Sequence, residues 1–311
     1  MATVDLSVAP ATPPADFGTL EGLPRRLALT LAELRHLAGL AGDAPLPFDV
    51  TAPKVGSSLD DRLGQSRASL EDQAYVEALA ALHEPTESLV KRGLVADGVA
   101  DPGVLGAIGL LAKPSLAVDL DVTVAGTRAK AWHRHAGSAV ATLATADGLV
   151  FELAWFEPAQ WAGELARVAA VPEDIELDAS QVPGLVDLPY ELIDGAGEAL
   201  RTQRGDLLPV IVAAHSGQVV DGDGKPVADG LVGPMISALL SETRGRLRGM
   251  AADVSEEGAP VVGVVSWILL EDGWRSLRAH QAGADRRVEV RRVEPSDLGS
   301  LLAPVLAEVA S

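Results

Sequence analysis

The sequence of 311 residues contains no cysteine, and only 4% of its residues are aromatic. The lack of cysteine excludes disulfides, thiolate catalysis and cysteine-liganded zinc, and it fits a reducing compartment. The longest apolar stretches, such as Val261 to Leu270, have the length of a strand and fall far short of the roughly 20 residues that span a bilayer. The first 18 residues lack lysine, arginine and a sustained apolar run, so they predict neither a signal peptide nor a membrane anchor. We therefore expect a cytoplasmic protein.

Basic residues are also scarce, since 44 acidic side chains outnumber 25 basic ones and give a formal charge of −19 at pH 7. Such a field repels phosphate backbones and anionic headgroups, so nucleic acid and membrane insertion are not expected. The 48% hydrophobic and 22% charged residues are typical of a globular chain. Residues 1–18, which contain three prolines, predict a flexible N-terminal arm. Residues 19–311 predict a single α/β domain.

Motifs of common catalytic sites are missing as well. The sequence has no Gly-x-Ser-x-Gly turn, no Gly-Lys-Ser/Thr phosphate loop and no three-glycine dinucleotide loop. Asp221-Gly-Asp-Gly begins like a calcium loop, but Val232 stands where that loop needs its bidentate glutamate. We therefore expect no catalytic residues, no metal site and no cofactor, and thus not an enzyme.

The best metal candidate is the His-x-His pair of His133 and His135. Residues two apart on a strand project from the same face about 7 Å apart, which suits two metal ligands. No third ligand is evident, so a half-exposed strand face is the preferred interpretation. A metal-dependent enzyme built on this pair remains the alternative.

Four alternating segments between residues 116 and 156 predict an antiparallel meander, because short Gly turns join them. The last segment leads into Glu157-Pro158, where proline begins a helix and glutamate lies near its positive end. The same order of helices, four strands, Glu-Pro and helix returns in the second half and ends at Glu294-Pro295. The recurrence predicts two pseudo-symmetric halves, about 70–172 and 185–311, built around a central antiparallel sheet with flanking helical bundles.

Several segments together resemble a known family. They are LTLAELRHLAGL near the start, RGLV at 92–95 followed by Pro102, Pro114 and an acidic alternating strand, VSWILLEDGWRSLRA, and the closing VEPSDLGSLLAPVLAEV. In this order they are similar to the EspG-type chaperones of actinobacterial type VII (ESX) secretion, over roughly Leu27 to Val309.

The resemblance implies a non-catalytic cytosolic chaperone or adaptor. Such proteins bind the apolar tip of helical secretion substrates of the PE/PPE type, keep them soluble and direct them to the secretion machine. Family members contact the partner through a loop between the first two meander strands, which here is only Ala125, Gly126 and Thr127. The shortness of this loop shifts our expectation to Leu231, Met235 and Leu239, a stripe at helical spacing, although such a stripe is equally typical of a core.

Three further interpretations concern dimer formation, a basic cluster and two tryptophans. A homodimeric scaffold, in which the halves mate across a sheet edge or helix stripe, is the third functional hypothesis. The cluster Arg286, Arg287, Arg291 and Arg292 is either a solvated face or a docking patch, and the solvated face is preferred. Trp132 and Trp274 are candidates for surface anchors.

Overall fold

The structure is a computed structural model that describes residues 24–48, 84–255, 261–300 and 302. The arm predicted at residues 1–18 and most of the helical pattern that begins at residue 70 lie outside these ranges. The described residues fall into two compact units. The first unit consists of the described residues before Asp119 together with residues 131–160 and 253–255. The second unit consists of residues 119–130 and 161–252 together with the described residues from 261 onward. Whether 19–311 acts as one domain therefore stays a prediction, as do the two pseudo-symmetric halves.

The described chain alternates between groups of helices and groups of strands. The helices are α1 Leu31–Leu40, α2 Pro85–Lys91, α3 Pro102–Ala112, α4 Trp161–Val168, α5 Tyr190–Arg201, α6 Leu208–Ala214 and α7 Asp229–Ser241, and another helix begins at residue 297. The first strands are β1 Arg25–Thr30, β2 Val95–Ala96, β3 Val99–Ala100, β4 Leu116–Val124, β5 Thr127–Ala136, β6 Ala139–Thr145 and β7 Val150–Phe156. The later strands are β8 Leu185–Pro189, β9 Val220–Asp221, β10 Gly245–Asp253, β11 Val261–Leu270, β12 Gly273–Ala282 and β13 Asp285–Arg292.

The strands confirm the predicted fold class, an α+β protein with a large central antiparallel sheet. In the first unit the hydrogen-bonded order is β1-β7-β6-β5, with Leu27 opposite Leu153 and Leu143 opposite the same residue. In the second unit the order is β4-β10-β11-β12-β13-β8-β9. The predicted meander is confirmed as β4 to β7. The strand β8 and the short β2-β3 hairpin were not predicted.

The helices of the first unit begin where the sequence places capping residues. Thr30 accepts a hydrogen bond from the Glu33 N–H while the Glu33 carboxylate accepts one from the Thr30 N–H, which is a complete capping box before α1. Asp101 accepts from the N–H groups of Gly103 and Val104 at the start of α3. Both predicted helix starts are confirmed.

The core of the first unit lies between α1, α3 and the strands β5 to β7. Leu34, Leu37 and Ile108 are fully buried there against Leu143 and Phe151. In the second unit, α5, α6 and α7 cover strands β8 and β11 to β13 through Leu192, Val212, Ile236, Ile268 and Val290. Burial of such side chains supplies most of the stabilisation of a helix that lies on a sheet.

Strand β10 approaches β4 closely, and the approach requires glycine. The two are antiparallel neighbours, since the Ala125 N–H donates to the Arg244 carbonyl and the Val254 N–H donates to the Ser115 carbonyl. A Cβ atom on Gly245 would lie 2.7 Å from the Thr123 carbonyl oxygen. A side chain at position 245 would therefore press on the backbone of β4.

None of the helices in the described ranges is both long enough and apolar enough to cross a membrane.

Candidate functional site

The second unit contains an apolar groove between two helices and the strands beneath them, which we call the α5–α7 groove. It has a volume of about 370 Å³. Its lining residues come from α5, the end of α7 and strands β10 to β13: Tyr190, Ile193, Leu239, Leu240, Thr243, Arg246, Arg248, Ser266, Trp267, Ile268, Leu277, Ala279 and Val288. A second hollow of about 660 Å³ adjoins it and shares Tyr190, Ile193 and Leu240. One continuous depression therefore follows the pair of helices.

The two helices present apolar side chains to the groove because each has more apolar residues than its core face uses. On α5, Leu192 and Ala196 are buried in the core, whereas Tyr190 and Ile193 line the groove. On α7, Ile236 is buried and Leu240 remains 39% exposed at the groove. Exposed apolar side chains that line a concave surface are typical of a protein interaction site.

The rim of the groove is basic. Arg246 and Arg248 project from β10 on the face that carries their cross-strand partners Ile268 and Ser266, and both arginines are exposed. Within the part of the chain that the structure describes, neither arginine forms an ion pair within 4 Å. Asp121 interacts electrostatically with Arg248, but its carboxylate is already paired with Arg128. Hydrogen bonds from Arg128 are the main reason that the pKa of Asp121 lies below its ordinary range.

The basic cluster on β13 has a different character. Each of its arginines has a carboxylate partner: Arg286 pairs with Glu191, Arg287 with Asp187, Arg291 with Glu289 and Arg292 with Asp272. These pairs agree with the preferred interpretation of a solvated, internally balanced face. Arg246 and Arg248 at the groove were not predicted from the sequence, although both lie in the alternating segment GRLRGMAA.

An exposed apolar pair continues the line of the arginines along the same two strands. Met250 on β10 lies opposite Val264 on β11, one strand period beyond Arg248 and Ser266. Met250 is 45% exposed and Val264 is 75% exposed. The open strand surface beside the groove therefore carries both charge and apolar area.

The predicted helical stripe is divided between core and surface. Met235 and Leu239 are buried in the core cluster of the second unit, which matches the alternative that the stripe is core, and Leu239 also forms part of the groove wall. Leu231 is 63% exposed. The neighbouring Leu240, which was not predicted, is the residue of α7 that the groove exposes.

The predicted contact segment Ala125, Gly126 and Thr127 is a tight hairpin turn. Ala125 and Gly126 have φ angles of 48° and 83°, which is the pattern of a type I′ turn between β4 and β5. All three residues are exposed. A role of this turn in partner contact stays a prediction.

The His-x-His pair lies where β5 passes from buried residues to half-buried ones, and His135 is half-buried. His133 is buried, and burial lowers the pKa of His135 below its ordinary range despite an opposing hydrogen bond with the Gly137 backbone. In the described ranges, no group of three or more His, Cys, Asp or Glu side chains could hold a metal ion. Trp132 and Trp274 are buried, so their interpretation as surface anchors is wrong.

Among the solved structures that are similar to this chain, one matches over nearly its whole length. It is the Mycobacterium tuberculosis type VII secretion system chaperone EspG5, determined in complex with the PE25-PPE41 dimer. The similarity covers 91% of this chain and 96% of that chain, with a TM-score of 0.57 and 12% sequence identity. No protein-family profile matches the sequence, and no curated protein matches it. The chain therefore has an EspG-type fold, as the motifs of the sequence indicated.

Proposed function

We propose that this protein is a non-catalytic cytosolic chaperone that binds helical secretion substrates of the PE/PPE type and directs them to a type VII secretion machine. The α5–α7 groove is the proposed docking surface for the apolar end of the substrate. The observation that carries the proposal is an open apolar depression on a chain with the fold of a chaperone that was solved with a PE-PPE dimer.

The physical argument for this function is the match between a concave apolar surface and an exposed helix end. Covering apolar side chains that would otherwise aggregate stabilises a substrate in solution. A groove between two helices that rest on a sheet can receive such side chains without rearranging its own core. Tyr190 offers an aromatic ring to them, and the guanidinium carbon of Arg286 lies 4.5 Å from the centroid of that ring, a cation–π contact that stabilises its position.

The experiment is co-expression of the full chain with a PE/PPE-type pair encoded beside it, followed by size-exclusion chromatography with light scattering. A stable complex of fixed stoichiometry is the expected result. The variant Leu240→Asp should abolish co-purification, because it places a charge on the groove wall.

A matched control is Val210→Asp, since Val210 is 68% exposed on α6 and lines neither hollow. This variant should bind like the unmodified protein. Loss of binding in both variants would indicate general damage, and binding by both would show that substrates dock elsewhere.

A further inference from the structure

The positive charge of Arg246 and Arg248 at the rim of the α5–α7 groove indicates which side chains a bound partner should carry. We infer that the groove takes a helix end that carries a pair of carboxylates, one helical turn apart, beside its apolar side chains. This inference rests on the proposed function and adds the charge pattern of the substrate to it.

The first argument is the state of Arg246 and Arg248. Acidic side chains outnumber basic ones by 19 in this chain, and most arginines of the described residues have a carboxylate within 4 Å. The four arginines of β13 all have carboxylate partners, whereas the described residues supply none within 4 Å to these two. Their guanidinium groups are left with donors available for an external acceptor.

The second argument is geometry. Residues two apart on a strand are about 7 Å apart on one face, and this spacing places the two guanidinium groups side by side. Side chains three or four apart on a helix are about 5 to 6 Å apart at their Cβ atoms, so carboxylates one turn apart could meet both arginines. Arginine binds carboxylates in a planar, two-pronged arrangement, which fixes orientation as well as charge.

The third argument is the position of the charges beside apolar surface. Ile268 stands opposite Arg246, and the exposed pair Met250 and Val264 lies just past Arg248. Docking an apolar helix end here would remove water from around the arginines and strengthen their attraction to a carboxylate. A second copy of this chain is not favoured as the occupant, because two chains of charge −19 repel each other.

The test uses the full-length protein and three fluorescent helical peptides. Each peptide has about 25 residues, long enough to support a helix, and presents Leu and Phe at one end. Beside these side chains the first peptide carries two Glu one turn apart, the second carries two Gln, and the third carries two Lys. Binding is measured by fluorescence anisotropy.

The expected order of affinity is Glu over Gln over Lys, with the Glu peptide bound roughly tenfold more tightly than the Gln peptide in about 50 mM salt. The difference should shrink in about 500 mM salt, because salt screens exposed charges. The net negative charge of the whole chain favours the Lys peptide over the Glu peptide. The observed order of affinity therefore shows whether the two arginines or the net charge of the chain dominates binding.

The decisive variant is the double change Arg246→Gln and Arg248→Gln. It should lose the preference for Glu and still bind the Gln peptide. The matched control, Arg204→Gln with Lys225→Gln, removes the same charge from exposed sites outside the groove and should keep the preference.

Equal binding of the Glu and Gln peptides, or an unchanged preference in the groove variant, would overturn the charge inference and leave the proposed function standing. Failure of all three peptides to bind would count against both. If light scattering shows a dimer of the unmodified protein and a monomer of the groove variant, a second copy of the chain is the occupant and the inference is overturned.

Discussion

The helices of the two units cover their strands in different ways. In the first unit, α1 begins with a complete capping box, and the Glu33 carboxylate also accepts hydrogen bonds from Ser88 and Arg92 of the next helical segment. Arg92 in turn donates to the Ala28 carbonyl of β1, 2.7 Å away. The buried Glu33 carboxylate is therefore fully engaged by groups of its own unit, and the start of α1 is closed.

In the second unit, neither α5 nor α7 has a side-chain cap, and the groove between them exposes Tyr190 and Leu240. Its rim carries Arg246 and Arg248, for which the described residues supply no ion pair within 4 Å. The first helical layer is thus closed by internal polar contacts, whereas the second leaves apolar side chains exposed in a groove. Substitutions in the first layer should therefore lower the free energy of unfolding. Substitutions in the second layer should mainly weaken binding of a partner.

The largest effect is expected when a leucine of the closed layer is truncated. Leu37→Ala should lower the free energy of unfolding by about 3 kcal/mol, because a fully buried side chain leaves a cavity. Leu240→Ala in the groove should change it by less than about 1 kcal/mol, since that side chain is partly exposed. Urea unfolding followed by circular dichroism measures both. Equal losses would contradict the distinction between the layers.

The next effect concerns the strand that carries the groove arginines. Gly245→Ala should destabilise the protein by about 2 kcal/mol, because the new Cβ would press on the backbone carbonyl of Thr123. Gly249→Ala is the matched control, since the one tight contact of its Cβ, at 2.8 Å, would be with the Cδ2 atom of Leu120, a side-chain end that can move. Thermal unfolding should show a clearly smaller loss in the control.

A pH-dependent effect is expected from Glu33. Burial raises the pKa of its carboxyl, but hydrogen bonds from Ser88, the Thr30 N–H and Arg92, with the Arg92 charge, outweigh burial and hold the pKa below the ordinary 4.5. A carboxyl with a depressed pKa stabilises the folded state fully above its unfolded value, and this contribution is lost as the pH falls through the folded value.

The variant Glu33→Gln should therefore be less stable than the unmodified protein at pH 7 by about 1 to 2 kcal/mol. The gap should narrow as the pH falls below 4.5. Urea unfolding across this range gives the difference between the two proteins at each pH. A gap that stays constant would show that the carboxylate charge does not contribute.

The smallest effect is expected at the turn between β4 and β5. Ala125 has a positive φ angle that asparagine tolerates better, so Ala125→Asn should stabilise the protein by about 0.5 kcal/mol. The same variant tests the predicted contact of this turn with a substrate. Unchanged co-purification together with higher thermal stability would assign the turn to structure alone.

Local signals explain which parts of the fold could be predicted from the sequence. The capping residues Thr30 and Asp101 lie next to the helix starts that they specify, and the Gly turns lie between the strands that they join. The strand β8 lacked such a signal because its five residues run directly into α5. Its place beside β13 depends on long-range pairing.

The candidate site depended on information that the sequence does not contain locally. Helix α7 is apolar on several sides, so periodicity could not decide that Met235 and Leu239 are buried while Leu240 stays exposed. The pairing of arginines depends on cross-strand register and on distant carboxylates, so the sequence makes the cluster on β13 conspicuous and does not distinguish Arg246 and Arg248. The overall resemblance to EspG-type chaperones was visible because it rests on the order of many segments.

Hydrogen exchange of the purified complex with its helical substrate tests the central claim most directly. The account predicts slower exchange on binding in residues 190–201, 229–241 and 245–253, with little change in α1 and α3. Protection confined to α1 and α3, with the α5–α7 groove exchanging as in the free protein, would contradict it.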